Sequence, residues 1–168
     1  FCKKVFHING VGVDTSKYAN VVVNCKEYRK LIGVPADKIM ILAVGELSTR
    51  KNHQIIIKAL SKLPNKKDYV FVICGNGIGG GTGNMLHALA KQEDVDLRLL
   101  GFRMDIPEIT AVSDIGVIPS IREGLGLAGI QSLAAGVPVI GSSVQGIKDY
   151  IVNGKDGYLC APFDDTAF

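Results

Sequence analysis

Five apolar runs, broken only by Arg98 in the third and each closed by a turn residue, limit the folds open to this chain. They are Ile39 to Gly45, Tyr69 to Gly75, Leu97 to Gly101, Ile115 to Pro119 and Val137 to Gly141. Runs without polar alternation suit strands covered on both faces, as in a parallel sheet. Helical patterns separate them. Asn52 to Leu63 places Ile55, Ile56, Ala59, Leu60 and Leu63 on one face, and Asn84 to Gln92 groups Leu86, Leu89 and Ala90. Ile106 to Val112, Leu127 to Ala135 and Ile147 to Val152 complete the series. The alternation predicts an α/β fold: a Rossmann-like, doubly wound parallel sheet with helices on both faces. The first 35 residues are less regular, with Val5 to Ile8 read as an opening strand and Cys25 to Ile32 as a helix ending at Gly33.

At 168 residues, the chain is the size of one domain and long enough to bury a core without staples. A net charge of +3, with Lys and Arg scattered, argues for neither nucleic acid nor an anionic membrane as partner. Cys2, Cys25, Cys74 and Cys160 lack paired spacing, so reduced thiols and a cytoplasmic setting are expected. No apolar run approaches the roughly 20 residues of a membrane span, and no signal peptide is visible. Starting at Phe1 without a methionine and stopping at Phe168, the sequence reads as part of something longer.

In sheets of this kind, ligands sit beyond the carboxyl ends of the strands. The polar and glycine-rich pieces fall there: Glu46 to Asn52, Gly75 to Gly83, Gly101 to Arg103, Ser120 to Gly126 and Ser142 to Gly146. The most informative is Arg122-Glu123-Gly124-Leu125-Gly126-Leu127, directly before a helix, where free backbone N–H groups welcome an anion. Gln131 falls on the apolar side of that helix, where an amide needs a buried partner or a ligand. Glu123 is the candidate catalytic residue, weighed against a surface pair with Arg122. Lys51, opening the helix after the first strong strand, is read as an ammonium facing a phosphate or as a solvated lysine.

Gly75-Asn76-Gly77-Ile78-Gly79-Gly80 matches the dinucleotide pattern G-x-G-x-x-G, although the next strand lacks the acidic residue expected at its end. Phe102 and Arg103 are placed either beside a nucleobase or merely at the sheet edge. His7, His53 and His87 share no metal-like spacing, so no metal is assigned. Asp149 and Tyr150 read as surface residues of a short helix.

With these residues in view, the chain resembles the donor-binding, C-terminal half of retaining GT-B glycosyltransferases, the glycosyl transferases group 1 family. The resemblance rests on Gly12-Val13-Asp14, Val44-Gly45-Glu46-Leu47 with Lys51-Asn52, Pro119 to Gly124, Ala134 to Ile140 and Gly154 to Leu159. It implies that Lys51 binds the donor's diphosphate, that Glu123 contacts the donor sugar and that Gly124, Leu125, Gly126 and Leu127 cradle phosphate. It also puts position 131 at the ribose. Asn52, Gly75, Phe102, Arg103 and Ser120 complete the expected substrate-binding set.

Three departures stand out. Glu46 replaces the family's usual arginine and removes a cation. Gln131 replaces a second glutamate and is a neutral, weaker acceptor. Gly79-Gly80-Gly81 replaces a different continuation. No cofactor is implied beyond a nucleoside-diphosphate sugar as substrate.

The implied protein transfers a glycosyl unit to a glycan, lipid-linked or small acceptor. Its N-terminal acceptor domain lies outside this chain, which alone is expected to be inactive. By family analogy the full-length protein works at the inner membrane face. The alternatives are a nucleotide- or NAD-binding domain of an oxidoreductase and a non-catalytic sugar-nucleotide-binding homologue.

Overall fold

The computed structural model describes residues 12–77 and 81–168. The strand expected at Val5 to Ile8 and the end of the Gly75 to Gly80 loop lie outside the described residues. Among the described residues, six parallel strands form one sheet in the order β3-β2-β1-β4-β5-β6. The five apolar runs supply β1 (Ile39–Val44), β2 (Tyr69–Cys74), β3 (Leu97–Gly101), β4 (Ile115–Ile118) and β5 (Val139–Ser142). Helices α1 (Ser16–Ala19), α2 (Cys25–Leu31), α3 (Gln54–Ser61), α4 (Gly81–Gln92), α5 (Ile106–Ala111) and α6 (Leu127–Ala134) accompany them.

Strand alternation divides the core. Ile41, Ala43, Phe71, Ile73 and Leu97 pack with Ile55, Ile56 and Leu60 of α3 and with Leu86 and Ala90 of α4. On the other face Met40, Leu42, Val70, Val72 and Cys74 meet Ile32, Val34, Ile109 and Val112. Val70 to Ile73 are all 0% exposed, which explains why β2 shows no polar alternation. Each such side chain contributes about 1.5–3 kcal/mol on burial. Arg29 of α2 is buried but fully engaged, donating to the Val112 and Lys38 carbonyls and to Asp114.

Two expectations need correction. Gly157–Cys160 forms a sixth strand, β6, paired with β5. It is an edge strand of four residues that opens on a glycine and leaves Tyr158 60% exposed, a shorter and less buried run than β1 or β2. The helix expected over Ile147 to Val152 is a series of turns. Ile147 and Ile151 are buried as their spacing requires. The backbone, however, closes short turns from Ile147 and Lys148 to Val144, and the Val152 amide donates to Asp156 Oδ1 instead of a helical carbonyl.

Strand order reverses between β1 and β4. Only Ile41↔Ile115 and Leu42↔Gly116 pair there, although β1 continues to Val44 and β4 to Ile118. The unpaired strand ends leave room above the sheet, which makes this the place where such folds hold ligands.

Candidate functional site

The loops after β1 and β4 face each other across that reversal. After β1, the chain makes a 3-10 turn, Thr49–Lys51, and Asn52 ends it in the left-handed region at φ 53°. The Ile121 amide donates to the Arg50 carbonyl at 2.9 Å, fixing one loop against the other. The Lys51 ammonium thereby meets the Glu123 carboxylate at 2.6 Å, with side chains 17% and 12% exposed. Ser120 Oγ donates to the same Glu123 oxygen at 3.2 Å, and the Gly124 amide donates to the other at 3.3 Å. Burial works to raise the Glu123 carboxyl pKa. The Lys51 hydrogen bond and charge, helped by Ser120 and Gly124, outweigh it and hold the group below the ordinary glutamate value. Glu123 is therefore an anion at neutral pH. Its partners are Lys51 and Arg50, not the exposed neighbour Arg122.

Beyond Glu123 the chain turns into α6 through Gly126, which adopts φ 68°. A side chain there would be strained and would also meet the Tyr150 hydroxyl at 2.9 Å. Among the described residues, no side chain caps α6. Its first N–H groups thus face a cleft of about 410 Å³ lined by Lys51, Glu123, Leu125, Leu127, Ala128 and Gln131. Gln131 is half-buried, one turn along α6, and its side chain has no hydrogen-bond partner among the described residues. A cation, a carboxylate, a helix N-terminus and an amide converge here. Together they can bind a polyanion carrying hydroxyl groups.

Tyr150, expected at the surface, belongs to this neighbourhood. Half-buried, it donates its hydroxyl to the Gly126 carbonyl at 3.0 Å, and a Cβ added at Gly129 would lie 2.3 Å from that oxygen. Burial, reinforced by the Glu123 charge, pushes its phenol pKa up. A 24-residue separation with no shared pattern hides this contact in the sequence.

Other expected residues stand elsewhere. Asn52 is 5% exposed and donates to the Pro162 carbonyl at 2.8 Å, so its amide ties down the chain end instead of facing the cleft. Ser120 is fully buried and acts on Glu123. Phe102 is 70% exposed beyond β3, two strands from β1, or about 10 Å along the sheet. Arg103 in the same loop is not free, because its Nε donates to Asp105 at 2.8 Å. That partner raises the Arg103 pKa, and Arg103 in turn holds the Asp105 carboxyl down to about 2. Among the described residues, no group of three His, Cys, Asp or Glu is assembled that could hold a metal ion, and no helix is long and apolar enough to cross a membrane.

The dinucleotide reading of Gly75 to Gly80 fails on position. A dinucleotide loop follows the strand at the order reversal, whereas this one follows β2. Gly75 has another task. At φ 154° it lies so close to β1's end that a Cβ would come within 1.8 Å of the Gly45 carbonyl oxygen. Its glycine permits the two loops to lie side by side.

Comparisons with known proteins give the family and the fold. The family model described as glycosyl transferases group 1 matches residues 25–168. Over 166 residues the chain is 31% identical to the UDP-Gal:alpha-D-GlcNAc-diphosphoundecaprenol alpha-1,3-galactosyltransferase of Escherichia coli, covering 94% of this chain and 41% of that one. The crystal structure of Anabaena HepE in complex with UDP superposes with a TM-score of 0.84 at 24% identity, over 93% of this chain and 43% of that one. The C-terminal domain of a glycosyl transferase group 1 family protein, LpcC of Francisella tularensis, crystallised as a separate domain. It matches with a TM-score of 0.79 at 26% identity, over 92% of this chain and 82% of that one. The fold is thus the Rossmann-like domain found in GT-B glycosyltransferases, and the chain spans about two fifths of the curated relatives' length.

Proposed function

Because the chain belongs to the glycosyl transferases group 1 family, we propose that it is the donor-binding part of a retaining glycosyltransferase. Its ligand is a nucleoside-diphosphate sugar. The observation that carries this reading is the Lys51–Glu123 pair at 2.6 Å, set beside the uncapped α6 N-terminus at the point where the strand order reverses. A diphosphate fits between the ammonium and the helix amides. Lys51 has three donors, so it can bridge phosphate and Glu123 together. Glu123 then accepts a hydroxyl of the donor sugar. Gln131, one turn along the helix, takes a ribose hydroxyl. The relative at 31% identity uses UDP-galactose by name, which favours uridine as the base.

Chemistry at such a site rests on the leaving group. Charge develops on the departing diphosphate, and Lys51 with the α6 amides is already oriented to receive it. The acceptor, whether glycan, lipid-linked or small, belongs to a second domain outside this chain, and the full-length enzyme would work in the cytoplasm at the membrane face. The test is calorimetric titration of the chain with UDP, GDP, ADP and NADH, repeated on Lys51→Ala. Binding of one nucleoside diphosphate, lost in the variant, supports the reading and names the base. Binding of NADH alone refutes it.

A further inference from the structure

Glu46, expected to cost the site a positive charge, in fact holds one in place. Its Oε1 accepts from Arg50 Nη2 at 3.0 Å and from Ser48 Oγ at 3.0 Å. The Ser48 hydrogen bond first, and that of Arg50 next, keep this exposed carboxyl below its ordinary value. Arg50 Nη1 also donates to the Arg122 carbonyl at 3.3 Å and lies 3.6 Å from Glu123 Oε2, the oxygen that Lys51 approaches. Consecutive cations from one turn therefore converge on a single carboxylate oxygen.

We propose that Arg50 is a second diphosphate-binding residue, positioned by Glu46. This rests on the donor-site reading above. Local charge makes the case. Glu46, Glu123 and Lys51 alone leave one net negative charge at a site that must accept a polyanion. Arg50 brings the balance to neutral, and the α6 N-terminus tips it positive. Geometry agrees, since the main chain at Arg50 is pinned to the opposite loop through Ile121 and its side chain is 40% exposed. A guanidinium has five N–H donors, and Glu46 and Arg122 engage two of them. The remainder suit the paired oxygens of a phosphate.

The experiment compares UDP with uridine on the wild-type chain and on Arg50→Gln, Lys51→Ala, Arg50→Glu and the exchanged pair Glu46→Arg/Arg50→Glu. UDP affinity should fall roughly fivefold to tenfold in Arg50→Gln, with uridine affinity unchanged. Arg50→Glu should lose more, and the exchanged pair should recover most of that loss, because a cation again stands beside Glu123. If Arg50→Gln binds UDP as tightly as wild type while Lys51→Ala does not, the donor site stands and Arg50 has no part in it. An equal loss for UDP and uridine makes Arg50 a structural residue and overturns the proposal. Absence of UDP, GDP and ADP binding to the wild-type chain removes both this proposal and the donor-site reading.

Discussion

Lowering the pH from 8 to 5 should destabilise this domain by about 2 kcal/mol, through His53. The imidazole is 3% exposed at the start of α3, and its Nδ1 has no hydrogen-bond partner among the described residues. Burial, with the Lys51 charge adding to it, pushes its pKa from 6.5 down to about 4. An unfolded chain therefore takes up a proton near pH 6.5 that the folded chain refuses until about pH 4. Between those values the unfolded state holds more protons, so stability falls as the pH falls. Nothing is lost above pH 6.5. The loss is complete below pH 4, at about 3 kcal/mol for a depression of this size.

Asp96, Asp105 and Glu123 are held below their ordinary values of 3.8, 3.8 and 4.5, so their contributions fade only in stronger acid. For a chain of this length, 2 kcal/mol corresponds to a melting temperature lower by about 4–8 °C. Circular-dichroism melts at pH 8, 6.5 and 5, on the wild type and on His53→Leu, measure it. The variant should lose most of the slope whatever its absolute stability. Equal melting temperatures at pH 8 and 5 in the wild type, or an unchanged slope in the variant, would refute the argument.

The site makes three further predictions. In the full-length enzyme, Glu123→Ala should lower turnover at least about 100-fold while costing about 1–2 kcal/mol in stability, since the pair it breaks is partly solvated. A normal rate would remove Glu123 from the mechanism. Tyr150→Phe deletes the donor that holds the Gly126 carbonyl and should cost about 1 kcal/mol by urea titration, with nucleoside-diphosphate affinity falling a few-fold. Unaltered affinity would mean that the turn before α6 holds its shape unaided. Gly75→Ala combines a strained backbone with a clash against the Gly45 carbonyl and should lower stability by at least about 3 kcal/mol, read as a shift in the urea midpoint.

The layered α/β architecture was legible because buried parallel strands must be apolar throughout. β6 escaped because an edge strand of four residues, Gly157–Cys160, with an exposed tyrosine obeys no such rule. Ile147 and Ile151 have helical spacing and are buried, yet Asp156 captures an amide that a helix would need. At the site, the loops carrying Lys51 and Glu123 followed from strand direction alone. Side-chain partners did not. Asn52 sits beside Lys51 in sequence, but its amide goes to a carbonyl 110 residues away. Glu46 read as a missing cation until its ion pair with Arg50 was visible, and nothing in the sequence connects Tyr150 to Gly126.

The short β1–β4 pairing also has a mechanical side. Six residue pairs join β1 to β2, from Ile39↔Tyr69 to Val44↔Cys74, whereas two join β1 to β4. The shortest strand register in the sheet thus lies at the foot of the cleft. Lys51 stands on one bank and Glu123 with α6 on the other. A ligand that took both Lys51 and the α6 N-terminus would bridge this short seam and add to the few contacts that join its two sides.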